Sequence, residues 1–145
     1  GIVGLATALE HLCDVVAEAA RLAHLRDTLE QGLARALPAV HVWGQGAPRL
    51  PGTTFFRCGL LQAEVVLQRL ERLGIAASSG AACSSAGNEP SHVLTAMGVA
   101  RDEALGAVRL SLGRTSTLTD VEHLLQALPP LLMPLLQDRA LAATV

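Results

Sequence analysis

Ten apolar residues set the first constraint on this chain. Leu5, Leu9, Leu12, Val16, Ala19, Leu22, Leu25, Leu29, Leu33 and Leu37 follow one another at steps of three or four. That is the spacing of one face of an α-helix. Arg21, Arg26, Asp27, Glu30, Gln31 and Arg35 fall mostly off the stripe. The pattern predicts one long helix over 2–37, ended by Pro38, whose ring cannot continue a helix. At 1.5 Å per residue such a helix would reach roughly 54 Å, too long for one face of a small domain. The expected division is therefore a long helix at 1–37, leading to a large domain outside this sequence, and a small domain at 38–145.

The small domain alternates helix and strand signals. AVHVW (39–43) and TTFFRC (53–58) read as strands, with a Gly- and Pro-rich loop between them. Residues 62–73 read as a helix with Val66, Leu70 and Leu73 inward, closed by Gly74 as its C′ glycine. IAA (75–77) reads as a short strand. A short helix follows over 90–97, then a turn of helix at 101–105. AVRLSL (107–112) alternates, with Val108, Leu110 and Leu112 on one face and Arg109 and Ser111 on the other. TDVE (119–122) has capping-box spacing, Thr119 to Glu122, and starts a helix to about Leu128. Pro129, Pro130 and Pro134 predict an irregular end. The strands are too few and short for a doubly wound sheet. The class is α+β, a small mixed sheet covered by helices.

With 50% hydrophobic residues and 17% charged, the 145-residue chain can bury a core and is not disordered. Two Phe, one Trp and no Tyr leave that core to Leu, Val and Ala. A net charge of −2 without a basic cluster gives no support to nucleic-acid binding. No apolar stretch is long enough to span a membrane. Cys13, Cys58 and Cys83 lie far apart, which suggests neither a disulfide framework nor zinc and fits a reducing, cytoplasmic compartment. All eleven basic residues are arginine, so there is no lysine to hold an aldehyde cofactor as a Schiff base.

Two residues stand out chemically. Eight of the nine residues Ser78–Ala86 are Gly, Ala or Ser, and the ninth is Cys83. A loop (78–88) with nothing large to pack leaves its thiol reachable, and a reachable thiolate is a nucleophile. The same run is also an ordinary small-residue turn. Cys13, in the helix pattern, and Cys58, ending a strand pattern, read as small buried hydrophobes. Arg109 interrupts an apolar strand. Its guanidinium either grips a carboxylate through two parallel hydrogen bonds or faces solvent on an edge strand. His92, nine residues after Cys83, has no third orienting group and reads as a surface or structural histidine, as do His11, His24, His41 and His123.

SSGAACSSAGNEPSHVLTAMG (78–98), followed by VRLSLGRTSTLTDVEHLL (108–125), resembles the C-terminal part of the cysteine desulfurases, pyridoxal-phosphate enzymes of the class V aminotransferase fold. GAPRLPGTTFF (46–56) is similar to the family's segment ahead of the small-domain core. Selenocysteine lyases share the layout. The resemblance implies the C-terminal small domain of that fold. It implies that Cys83 is the catalytic thiol, taking sulfur from L-cysteine as a persulfide while L-alanine leaves. It implies that Arg109 binds the substrate α-carboxylate. It also implies pyridoxal 5'-phosphate, a sulfur-acceptor protein and a homodimer for the whole protein. Because the lysine has no counterpart here, the chain alone is expected to be inactive and to bind no cofactor covalently. The alternatives are a cofactor-free persulfide carrier or binding module, and a selenocysteine lyase fragment.

Overall fold

The computed structural model describes residues 1–10, 14–37, 39–80 and 89–142, with side chains through 138. Cys13, Pro38 and Cys83 lie outside the described residues.

The helix expected over 2–37 is two helices, α1 (Ile2–Glu10) and α2 (Val15–Ala36). Asp14 is the reason. Its Oδ1 accepts the backbone N–H groups of Val16 at 3.0 Å and Ala17 at 3.1 Å. A carboxylate that satisfies first-turn donors starts a new helix. The apolar stripe runs straight through this cap, so periodicity alone does not reveal it. The halves of the stripe have different fates. Leu25, Leu29, Leu33 and Leu37 are buried, whereas α1 buries none of its residues.

Among the described residues four strands form one sheet: β1 (Val40–Val42), β2 (Thr53–Cys58), β3 (Ser78–Ser79) and β4 (Val108–Ser111), in the order β1-β2-β4-β3. All three pairings are antiparallel. β3 falls at Ser78–Ser79, not at the expected 75–77. Ile75 is instead used up in closing α3 (Ala63–Arg72). Its N–H bonds to Leu70 O, and that of Gly74, at φ +73°, bonds to Glu71 O. This 6→1 and 5→2 pair satisfies the helix's last carbonyls and needs the left-handed conformation that glycine adopts freely.

The α+β class holds, with a core on one face of the sheet. Phe56, Cys58, Val108 and Leu110 pack there with Leu29 and Leu33 of α2, Val66 and Leu70 of α3, and Leu128 and Leu132 of α6 (Leu118–Ala142). Two short helices, α4 (His92–Ala96) and α5 (Arg101–Leu105), serve a second cluster, Leu94, Ala104 and Ala107 with Trp43, Phe55 and Val99.

α6 departs twice from expectation. Its reciprocal N-terminal box is Thr117 with Asp120, two residues before the expected Thr119 and Glu122. Asp120 Oδ2 accepts Thr117 N–H at 2.8 Å, and Thr117 Oγ1 accepts Asp120 N–H at 3.3 Å. The Thr117 N–H and then the Thr117 hydroxyl, both donating to Asp120 Oδ2, hold the Asp120 carboxyl below its ordinary value. The helix also continues through Pro129, Pro130 and Pro134 to Ala142. An interior proline costs about 3 kcal/mol. Leu128 and Leu132 are fully buried along this stretch, and Met133, Leu135 and Leu136 pack against the same core, so apolar burial opposes that local penalty.

Candidate functional site

Alternation along β4 turns Val108 and Leu110 into the core and leaves Arg109 exposed. β4 is flanked by β2 and β3, so Arg109 is not on an edge strand. It stands opposite Phe55 on β2 and Ser78 on β3. Trp43 extends the row, its N–H bonding to Phe55 O at 2.9 Å. Across the sheet the outer face therefore reads Trp43, Phe55, Arg109, Ser78. Residues opposite each other in antiparallel strands share a face. Among the described residues none pairs with the Arg109 guanidinium. An arginine set inside a sheet with its fork unspent can take a carboxylate.

Ser78 also begins the segment that carries Cys83. The root of that segment is fixed at Gly80, whose N–H bonds to Ala107 O at 2.9 Å. A Cβ at Gly80 would overlap Phe55 Cζ and lie 2.8 Å from Cε2 and 3.3 Å from Ala107 Cβ. Only glycine fits beneath that ring. On the far side of residues 81–88, Ser91 caps α4 through its hydroxyl, and Leu94 is fully buried in the cluster that Phe55 and Trp43 cover. Both described flanks of the thiol segment thus meet one aromatic cluster. The Trp43 and Phe55 rings lie 5.3 Å apart, tilted by 46°.

Cys58 is no rival nucleophile. Cys58 is fully buried, and burial pushes its thiol up to about 12, so it stays protonated and inert. Cys13 lies outside the described residues. His24, His41, His92 and His123 are exposed, and His11 lies outside the described residues. Among the described residues no group of three or more His, Cys, Asp or Glu could hold a metal ion, and no helix is long and apolar enough to cross a membrane.

Several supporting residues escaped sequence reasoning. Arg49 meets the buried Glu30 in a two-pronged pair of 2.8 and 2.7 Å, tying the 44–52 loop to α2. Burial pushes the Glu30 carboxyl up, but the Arg49 hydrogen bonds lead the contacts that outweigh it and hold it below its ordinary value. Arg21, held by Glu18, donates to the carbonyls of Ser116, Gly113 and Arg114 and so fastens the turn after β4. Arg57 spans Gly59 O and Glu103, joining β2 to α5. Phe55 and Trp43 had one usable signal, the outward positions of alternating strands. The partners of these arginines lie up to 95 positions away, and no local pattern announces them.

The sequence profile of the aminotransferase class-V family matches residues 1–124. The chain belongs to that family. Among curated relatives, this class-V chain is 43% identical over 131 residues to "Cysteine desulfurase" of Cereibacter sphaeroides, covering 90% of itself and 33% of that protein. It is 37% identical over 135 residues to "Cysteine desulfurase NifS" of Azotobacter vinelandii, covering 92% of itself and 34% of the other. A solved "NIFS-LIKE PROTEIN" superposes with a TM-score of 0.73 at 31% identity, over 92% of this chain and 33% of that one. A NifS-like protein from Rickettsia africae gives 0.66 at 30%, over 78% and 28%. The chain thus spans about a third of the length of the relatives it matches.

The class-V family in general uses pyridoxal phosphate. Anchoring that aldehyde takes a primary amine on a lysine. This class-V chain has none, so its own side chains do not fit the cofactor as an anchored group.

Proposed function

We propose that this chain is the small-domain third of a cysteine desulfurase, with Cys83 as sulfur acceptor and Arg109 as clamp for the α-carboxylate of L-cysteine. One observation carries the reading. Arg109, unpaired among the described residues, stands inside the sheet directly opposite Ser78, where the Cys83 segment is rooted. Names of relatives at 37–43% identity support it. In the reaction the Cys83 thiolate attacks the substrate sulfur. The Cβ–S bond breaks and a sulfur–sulfur bond forms at Cys83. The electron pair left on Cβ takes up the proton that Cys83 gave up, and L-alanine departs. That electron pair needs a sink, which this lysine-free chain does not anchor. Turnover therefore requires a lysine-bearing polypeptide outside these 145 residues. The whole protein is expected to be a cytoplasmic homodimer that hands its sulfur to an acceptor protein.

The test joins the chain to the lysine-bearing large domain of a class-V relative, with pyridoxal phosphate and L-cysteine. L-Alanine release and one added sulfur atom at Cys83, read by peptide mass spectrometry, are expected. Cys83→Ala abolishes both. Arg109→Gln raises the KM for L-cysteine by about ten- to a hundredfold, the worth of hydrogen bonds to a charged group. Full turnover by Cys83→Ala would sink the reading. The absence of lysine favours one other reading, a cofactor-free persulfide carrier. Sulfur arriving at Cys83 from a persulfide donor, with no alanine release from the joined protein, would establish that reading instead.

A further inference from the structure

We infer that Phe55 is a positioning residue for the sulfur-transfer site, acting through Gly80; the functional half of this inference rests on the desulfurase reading.

β3 is only two residues long, so its ladder to β4 gives it little hold of its own. The bond from Gly80 N–H to Ala107 O extends that hold by one step, and the Phe55 ring lies over the same point. The ring is itself fixed from the other side by Trp43, at 5.3 Å, and below by the cluster of Leu94, Ala104 and Ala107. Phe55 is also the register partner of Arg109. One side chain therefore touches the root of the thiol segment while standing beside the arginine. The glycine at position 80 is needed because of the ring above it, and the ring keeps β3 on the sheet because it presses on a residue with no side chain. A displacement of about 1 Å at a reacting group costs on the order of a hundredfold in rate. The device sets where β3 ends without touching substrate.

The test has two arms. The first uses this chain alone and follows amide hydrogen exchange at position 80. Gly80→Ala and Phe55→Ala each speed that exchange by about tenfold or more, the scale of losing a bond worth near 1 kcal/mol or above. The double variant exchanges no faster than Phe55→Ala, because without the ring the added methyl has room. Effects that multiply overturn the contact. If Phe55→Ala does not fold, Phe55→Leu keeps bulk over Leu94 and withdraws the ring edge from Gly80, and the same non-additivity is expected. The second arm uses the joined protein. Phe55→Leu lowers kcat for sulfur transfer by about tenfold or more and leaves the KM for L-cysteine, set by Arg109, within about twofold. Equal kcat in Phe55→Leu and the parent overturns the positioning role. No sulfur transfer even in the parent overturns the desulfurase reading and the positioning role with it, whereas the exchange result stands or falls separately.

Discussion

Glu30 carries the most consequential charge in the core. Its carboxylate is 3% exposed, and both oxygens are taken by Arg49, itself 19% exposed. A carboxyl held below its ordinary value stabilises the fold fully above the unfolded-state value near 4.5, and that contribution is lost as pH falls through the lower folded value. Urea unfolding followed from neutral pH downward should therefore show stability dropping below about pH 4.5. Glu30→Gln should flatten that dependence and lower stability at pH 7 by roughly 3 kcal/mol, because Arg49 is left partly buried without its counter-charge. An unchanged acid limb in Glu30→Gln would remove the pair from this role. Cys58 illustrates what residue-level reading can do. Its place at the end of an alternating strand predicts burial, and it is fully buried. Arg109 shows the limit. Alternation places it outward, but only the pairing of β3 with β4 decides that it lies inside the sheet rather than at an edge.

Among elements, the short helices and every strand but β3 were the legible part. β2 matches its expected span residue for residue, and α3 begins one residue late and ends one early. There the alternation, the periodicity and the closing glycine all agree. The long helices depart from the sequence pattern for two opposite reasons. At Asp14 a local hydrogen bond breaks a helix that the apolar stripe continues. In α6 tertiary burial continues a helix that local chemistry says should end. This second conflict is testable. Pro130 is exposed, and Pro130→Ala restores an N–H to the helix without altering the core. It should raise stability by about 1–3 kcal/mol, judged by the proline penalty. Leu132→Ala should cost about 2–5 kcal/mol, because Leu132 is fully buried. Thermal unfolding of both variants checks the argument. A neutral Leu132→Ala would mean that burial does not hold the proline-rich turns in place.

At the scale of the whole molecule, the chemistry is divided between what this chain contains and what it lacks. Its sequence supplies the Cys83 thiol and no lysine amine, and Arg109, unpaired among the described residues, stands on the outer face of a small sheet. Mixed with pyridoxal phosphate, the chain should leave the free cofactor's visible absorbance unchanged, and borohydride should attach the cofactor to no side chain. A reduced adduct on any internal peptide would contradict the lysine argument. The brevity of β3 has a further consequence. An outermost strand normally presents a row of unpaired amides and carbonyls that a neighbouring chain can copy, the starting point of fibril growth. This strand offers two residues, both serine, before a glycine tucked under an aromatic ring. The margin of the sheet from which the Cys83 segment departs is thereby a poor template for edge-to-edge aggregation.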